Sequence, residues 1–363
     1  MIAVKIPTRS LTFPCLALLL IGLVVGFLLD TRRNSTPILS TSLLSPVSLS
    51  NLHSASASED IFLSYTPSKF ESEWLEHVHE YKDRECAVLA TSPYREWVQE
   101  WLDVSIPSTR LRDSENWTAP RDLSPDVFSL FRYRLPSGVI QEVWVEPLGG
   151  ILRDPREPCK RHSLGDWTPH NSDVQSKDFL LLDKSLSQMS HKRVLFFDLG
   201  SSKYDYEIMP GLSWFYPKYK SEGLQVTDLF AWEQTPRPGF EYFEGMPNEL
   251  AAAAHFYNFG VVANVNNVQN PVHVLKTIAR PEDYVIFKLD IDNNPIEEAI
   301  VESLLADPKA LELIDDFFWE HHVNQIDMNP IWVITSGFNH TIKDSILYLR
   351  KFRDHGIRAH SWP

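Results

Sequence analysis

The chain predicts an α/β protein: a doubly wound, mostly parallel sheet preceded by an N-terminal helical and β-hairpin extension. Three observations carry this. Tyr284 to Phe287 is an apolar run of β-forming residues that ends in Lys288, Asp290 and Asp292, and Pro295 then opens a helix bearing Glu297 and Glu298. The same rhythm of buried strand, loop and helix recurs from Arg193 to the C-terminus. Alternation at that spacing predicts βα units and a parallel sheet rather than hairpins.

The strands follow in order. Val194 to Phe197 ends at Asp198-Leu199-Gly200-Ser201-Ser202; Leu224 to Trp232 ends at Glu233; Val261 to Val265 is read as the third. Tyr284 to Leu289 is the fourth and Asp316 to Val323 the fifth. Lys343 to His355 forms an amphipathic helix with Ile346, Leu349 and Phe352 inward and Gly356 as its stop, and Ile357 to Trp362 is the last strand.

Before this unit, Ser68-Lys69-Phe70-Glu71 is a capping box for a helix with Phe70, Trp74, Val78 and Tyr81 on one face. Ser92-Pro93 opens a second helix with Trp97 and Trp101 four apart. Val127 to Leu135, the turn Pro136-Ser137-Gly138 and Val139 to Glu146 read as a hairpin, and Asp154 to Lys177 as a loop. The aromatic stripes are core-forming. So are Trp214, Phe215, Tyr216 and Tyr219, which suit helix-to-sheet packing better than ligand stacking. Asn264, Asn266, Asn267 and Asn270 are equally turn formers or substrate hydrogen-bonders.

The 363 residues are 43% hydrophobic and 12% aromatic, enough for a sizeable core. A net charge of -14 argues against nucleic acid as a partner, because binding to it needs a basic face. Leu11 to Leu29 is uncharged and close to the roughly 20 residues that cross a bilayer. Asp30-Thr31-Arg32-Arg33 follows it instead of a small-residue cleavage site, which predicts an uncleaved signal anchor. The expected order is a cytosolic tail (1–10), a transmembrane anchor (11–29), a Ser-rich stem (30–60), the extension (61–187) and the α/β domain (188–363). The expected setting is the Golgi or endoplasmic reticulum, with the globular part luminal.

Sequons at Asn34, Asn116 and Asn339 fit a luminal glycoprotein. Cys86 and Cys159, the cysteines outside the span, form either one disulfide or two separate buried thiols.

A strand, then Asp-x-Gly, then an acid ending the next strand is an arrangement that holds an adenosine-bearing cofactor. Here it is Asp198, Gly200 and Glu233. Together with Lys288-Leu289-Asp290-Ile291-Asp292 and Glu297, it resembles the FkbM-type methyltransferases, whose fourth-strand motif runs Lys-x-Asp-x-Glu-Gly with a further Glu. The match spans Val194 to Pro363, and Asp292-Asn293 stands where the family has Glu-Gly. The resemblance implies a Rossmann-like methyltransferase fold and S-adenosylmethionine as cofactor. Asp198, Gly200 and Ser201 would lie at the cofactor loop and Glu233 at the ribose, with Asp290 and Asp292 at the active-site edge. Either Asp290 or His321 would then deprotonate a hydroxyl acceptor, a glycan among the options.

Trp319-Glu320-His321-His322 closes the fifth strand near that edge, where alternation sends His321 and His322 to opposite faces. Two alternatives compete. Asp290-Ile291-Asp292 is also the Asp-x-Asp with which Golgi glycosyltransferases hold a divalent metal against a nucleotide sugar. The fold could equally be retained for binding without catalysis. Oligomeric state is not legible from the chain.

Overall fold

The computed structural model describes residues 60–109, 123–156, 158–159, 176–183, 185, 189, 191–204, 211–328 and 337–363. The expected sequons at Asn34 and Asn116 and most of the 154–177 loop lie outside them. No helix among the described residues is long and apolar enough to cross a membrane, and the membrane-spanning helix expected over 11–29 lies outside them.

Six parallel strands form the main sheet: β4 (Val194–Leu199), β5 (Asp228–Trp232), β6 (Ala254–Tyr257), β7 (Tyr284–Leu289), β8 (Asp316–Trp319) and β9 (Arg358–Ser361). Their spatial order is β6-β5-β4-β7-β8-β9, so the chain reverses direction of travel between β4 and β7. The central strands β4 and β7 are buried at every position, which is why both open on apolar runs, Val194 to Phe197 and Tyr284 to Phe287, before one buried charge each. One expected strand is displaced. The third is Ala254–Tyr257, directly after a short helix, and not 261–265. Residues 264–270 are instead turns: Asn264 and Asn267 accept from the amides two residues on, and Asn270 caps the following helix.

Phe317 and Phe318, adjacent on β8, point to opposite faces and meet different helices. Phe318 packs edge-on against Phe215 of Leu212–Ser221, with ring centroids 4.8 Å apart. Phe317 stacks on Phe352 of Ile342–Asp354 at 4.3 Å. The sheet is therefore covered on both faces, and Phe215, Tyr216 and Tyr219 are core, with Trp214 half-buried against them. At the amino ends of the strands a buried network closes the sheet. Asp316 accepts from Tyr219 Oη, Tyr284 Oη and Arg358 Nε at 2.7, 2.6 and 2.7 Å.

The extension carries a second sheet, antiparallel, in the order β1 (Ile61–Thr66), β2 (Ser129–Arg134), β3 (Ile140–Val145). The hairpin is as expected, and β1 is an addition lying directly against the expected stem. Helix Lys69–Tyr81 starts at Ser68, whose hydroxyl accepts from Glu71 N as a capping box requires. Glu71 does not return the favour, because its carboxylate is the hub of a buried network. It accepts from Tyr65 Oη, Ser129 Oγ, Leu148 N, Arg350 Nη1 and Arg353 Nη1. The two arginines belong to helix Ile342–Asp354, so this acid fastens the extension to the main sheet. Gly356 ends that helix at φ +90°, and a Cβ there would lie 2.7 Å from the Phe62 ring. Cys86 and Cys159 are joined as a disulfide, which resolves the choice the sequence left open.

Candidate functional site

The site lies at the carboxyl ends of β4, β5, β7 and β8, where the strand order reverses and where open α/β sheets bind ligands. A cleft of about 730 Å³ opens there. Of the expected site residues, Asp198, Gly200, Ser201, Glu233, Asp290 and Asp292 all line it. His321 does not.

Gly200 shows why the loop after β4 is built as it is. Its φ is +88°, and a Cβ would sit 1.6 Å from the carbonyl oxygen of Asp290. No side chain fits between the β4 and β7 turns. The amides of Gly200 and Ser201 both donate to Trp232 O, and Asp290 N donates to Leu199 O, so the ends of three strands are stitched together. Glu233, next along β5, is buried in the cleft wall. Its Oε1 accepts from Thr235 N at 2.6 Å, and Arg237 Nε lies 3.9 Å from Oε2.

A row of buried charges crosses the floor. Lys288 Nζ sits 3.1 Å from Asp198 Oδ1 and 3.2 Å from Asp290 Oδ2, because register places residues 198 and 288 side by side on one face. Burial works against the charge on Lys288, yet the two carboxylates hold its pKa well above the ordinary lysine range. Asp290 is pushed up by burial and by neighbouring Glu320, against the pull of Lys288. Glu320 is held low despite burial, by His322 and by Arg153, whose Nη2 donates to Glu320 Oε1 at 2.7 Å. Lys177 completes the row, and its Nζ lies 4.6 Å from the centre of the Trp362 ring.

Glu297, the further acid of the family-like motif, is structural: it accepts from Ile291 N and Trp319 Nε1 at 2.8 and 2.9 Å. His321 stacks on Trp319 at 4.0 Å and its Nδ1 meets Ser345 Oγ at 2.7 Å, on the face away from the cleft. Burial lowers its pKa to about 3. Alternation did separate the two histidines, and the one that meets residues of the cleft is His322, 3.6 Å from Glu320 and 3.8 Å from Asp292. Those three offer ligand atoms within 4.8 Å of one another. The Glu320 oxygen concerned is the one that already receives Arg153.

Sequence reasoning missed Arg153, Lys177, Glu320 and Trp362. Of these, Glu320 had a visible signal, an acid two residues beyond an inward Phe318. No protein-family model, curated protein or solved structure matches the chain.

Proposed function

We propose that this cleft binds S-adenosylmethionine and that the chain is a methyltransferase acting on a hydroxyl acceptor, with a Rossmann-like methyltransferase fold. The observation that carries the reading is Glu233: a buried carboxylate ending the strand next to β4, in the wall of a cleft at the sheet's reversal point. An acid there suits the two hydroxyls of a ribose. Ser201 and Ser202, which line the same cleft, suit the polar end of the same ligand. Asp198 has a different task, since its carboxylate neutralises Lys288. When bound, the cofactor supplies an activated methyl group. The protein's part is to hold acceptor and cofactor together and to move one proton.

The metal-dependent glycosyl-transfer reading finds less support. Asp290 and Asp292 diverge: the first turns inward to Lys288, while the second has a side chain 81% exposed and faces His322. That reading expects both acids of Asp290-Ile291-Asp292 at one metal, and here they face different partners.

Calorimetric titration of the purified protein with S-adenosylmethionine and S-adenosylhomocysteine tests the proposal. Saturable binding that is lost in Glu233→Gln is expected. Binding only of a nucleotide sugar, and only with manganese, would overturn it in favour of glycosyl transfer. Binding of neither would leave a fold kept for recognition.

A further inference from the structure

We propose that Lys177 Nζ is the base of this cleft, the atom that takes the proton from the acceptor hydroxyl. The inference rests on reading the cleft as a group-transfer site, and it replaces Asp290 and His321 in that role. Asp290 is engaged with Lys288, and His321 lies outside the cleft.

Three features of the geometry converge. Lys177 is 6% exposed, and it lines the cleft. It arrives from the extension, at a place where two other buried cations already stand: Lys288 from β7 and Arg153 from the extension. Lys288 and Lys177 share one indole, their Nζ atoms 6.0 and 4.6 Å from the Trp362 ring centre. Lys288 and Arg153 disfavour the charge on Lys177, and Asp290 and Glu320 favour it. Burial is the largest influence, and the outcome is a lysine whose pKa is lowered to about 7. Near neutrality about half of the Lys177 side chains then carry a lone pair, in a cleft whose Asp290 is pushed toward its protonated form.

The proton balance is simple. The acceptor O–H bond breaks and its electron pair stays on oxygen as the nucleophile. The lone pair on Nζ forms the new N–H bond, and the amine becomes an ammonium. The face of Trp362 lies where it stabilises that new positive charge. A base poised near the working pH is the efficient one, since it is both available and strong enough.

The decisive measurement needs neither cofactor nor turnover. The intact protein is trace-labelled with acetic anhydride from pH 5 to 11, and the label on each lysine is read by peptide mass spectrometry. Lys177 should show a labelling midpoint below 8.5, well under the roughly 10.4 of a free lysine. At pH 7 its unprotonated fraction is then about 1,000-fold above that of a free lysine. A midpoint of 8.5 or above, or no labelling of Lys177 at any pH, overturns the proposal.

A second readout separates this inference from the cofactor reading. In Lys177→Gln, cofactor affinity should stay within threefold while methyl transfer falls by about 100-fold or more, with loss of the rise in rate near pH 7. Unchanged transfer overturns the base role. Absence of cofactor binding in the unaltered protein overturns the methyltransferase reading instead, and the labelling result still decides the state of Lys177.

Discussion

Glu71→Ala should destabilise the whole of the described unit and weaken ligand binding in a cleft to which Glu71 contributes no atom. Glu71 is fully buried and accepts from five donors at 2.7 to 3.3 Å. Removing the carboxylate strands the Leu148 amide and the Tyr65 hydroxyl and takes one counter-ion from Arg353, itself fully buried. Arg353 keeps Glu146 Oε1 at 3.3 Å, so the loss falls short of a wholly unpaired charge. Breaking a buried pair costs about 3 to 5 kcal/mol, and we take about 4 here. With a urea dependence of about 3 kcal/mol per M, the unfolding midpoint should fall by roughly 1.3 M. Equilibrium unfolding followed by tryptophan fluorescence measures it, because Trp74, Trp97 and Trp101 report on the extension and Trp232 and Trp319 on the main sheet. A shift below about 0.3 M would refute the reasoning. So would two separate transitions in the unaltered protein, which would mean that the extension melts alone.

Three further outcomes are expected. Gly200→Ala places a methyl group 1.6 Å from Asp290 O, so the β4 and β7 turns must part; calorimetry should find ligand binding lost, and thermal unfolding should move down. Replacing both Cys86 and Cys159 by Ser opens a cross-link between residues 73 apart, worth about 4 kcal/mol by loop entropy, and urea midpoints without reductant will report it. For His321, the folded pKa is depressed to about 3, so its contribution is fully present above the unfolded value near 6.5 and is lost as pH falls toward 3. That loss amounts to at most about 5 kcal/mol, with Glu298 at 3.5 Å working against it, and His321→Gln should flatten stability across this window in acid titrations.

What could be read from the chain follows a physical division. Strands buried on both faces, such as Tyr284–Leu289, are legible because they begin as apolar runs, with the charge of Lys288 held back to the carboxyl end. Strand β1 alternates exposed and half-buried residues and adjoins a Ser-rich stretch, so its signal merged with the expected stem. Ala254–Tyr257 follows directly on the Ala-rich helix Asn248–Ala252 and carries too few β-branched residues to stand out. In the site, Asp198, Lys288 and Asp290 were legible because strand ends fix their placement. Arg153 and Lys177 were not, since only the folded extension brings them to those strand ends, and nothing in their local sequence records it. Glu297 misled for a related reason: a motif acid and a buried hydrogen-bond acceptor look alike until the indole of Trp319 is seen beside it.

The two ends of the main sheet show why the extension belongs to the function. At the amino ends, the Asp316 network is closed by groups of the sheet and its helix, with Tyr133 of the extension reaching Arg358 at 3.0 Å. At the carboxyl ends, the charges that β4 and β7 supply, Asp198, Lys288 and Asp290, form only half of the row. Glu320 gains its buried counter-ion from Arg153, and the amine facing Trp362 is Lys177, both from the extension. A chain cut to residues 188–363 would keep the strands and Glu233 yet take Arg153 from Glu320 and Lys177 from Trp362. The extension is therefore one wall of the cleft, and the Glu71 network that fastens it is part of what positions the chemistry.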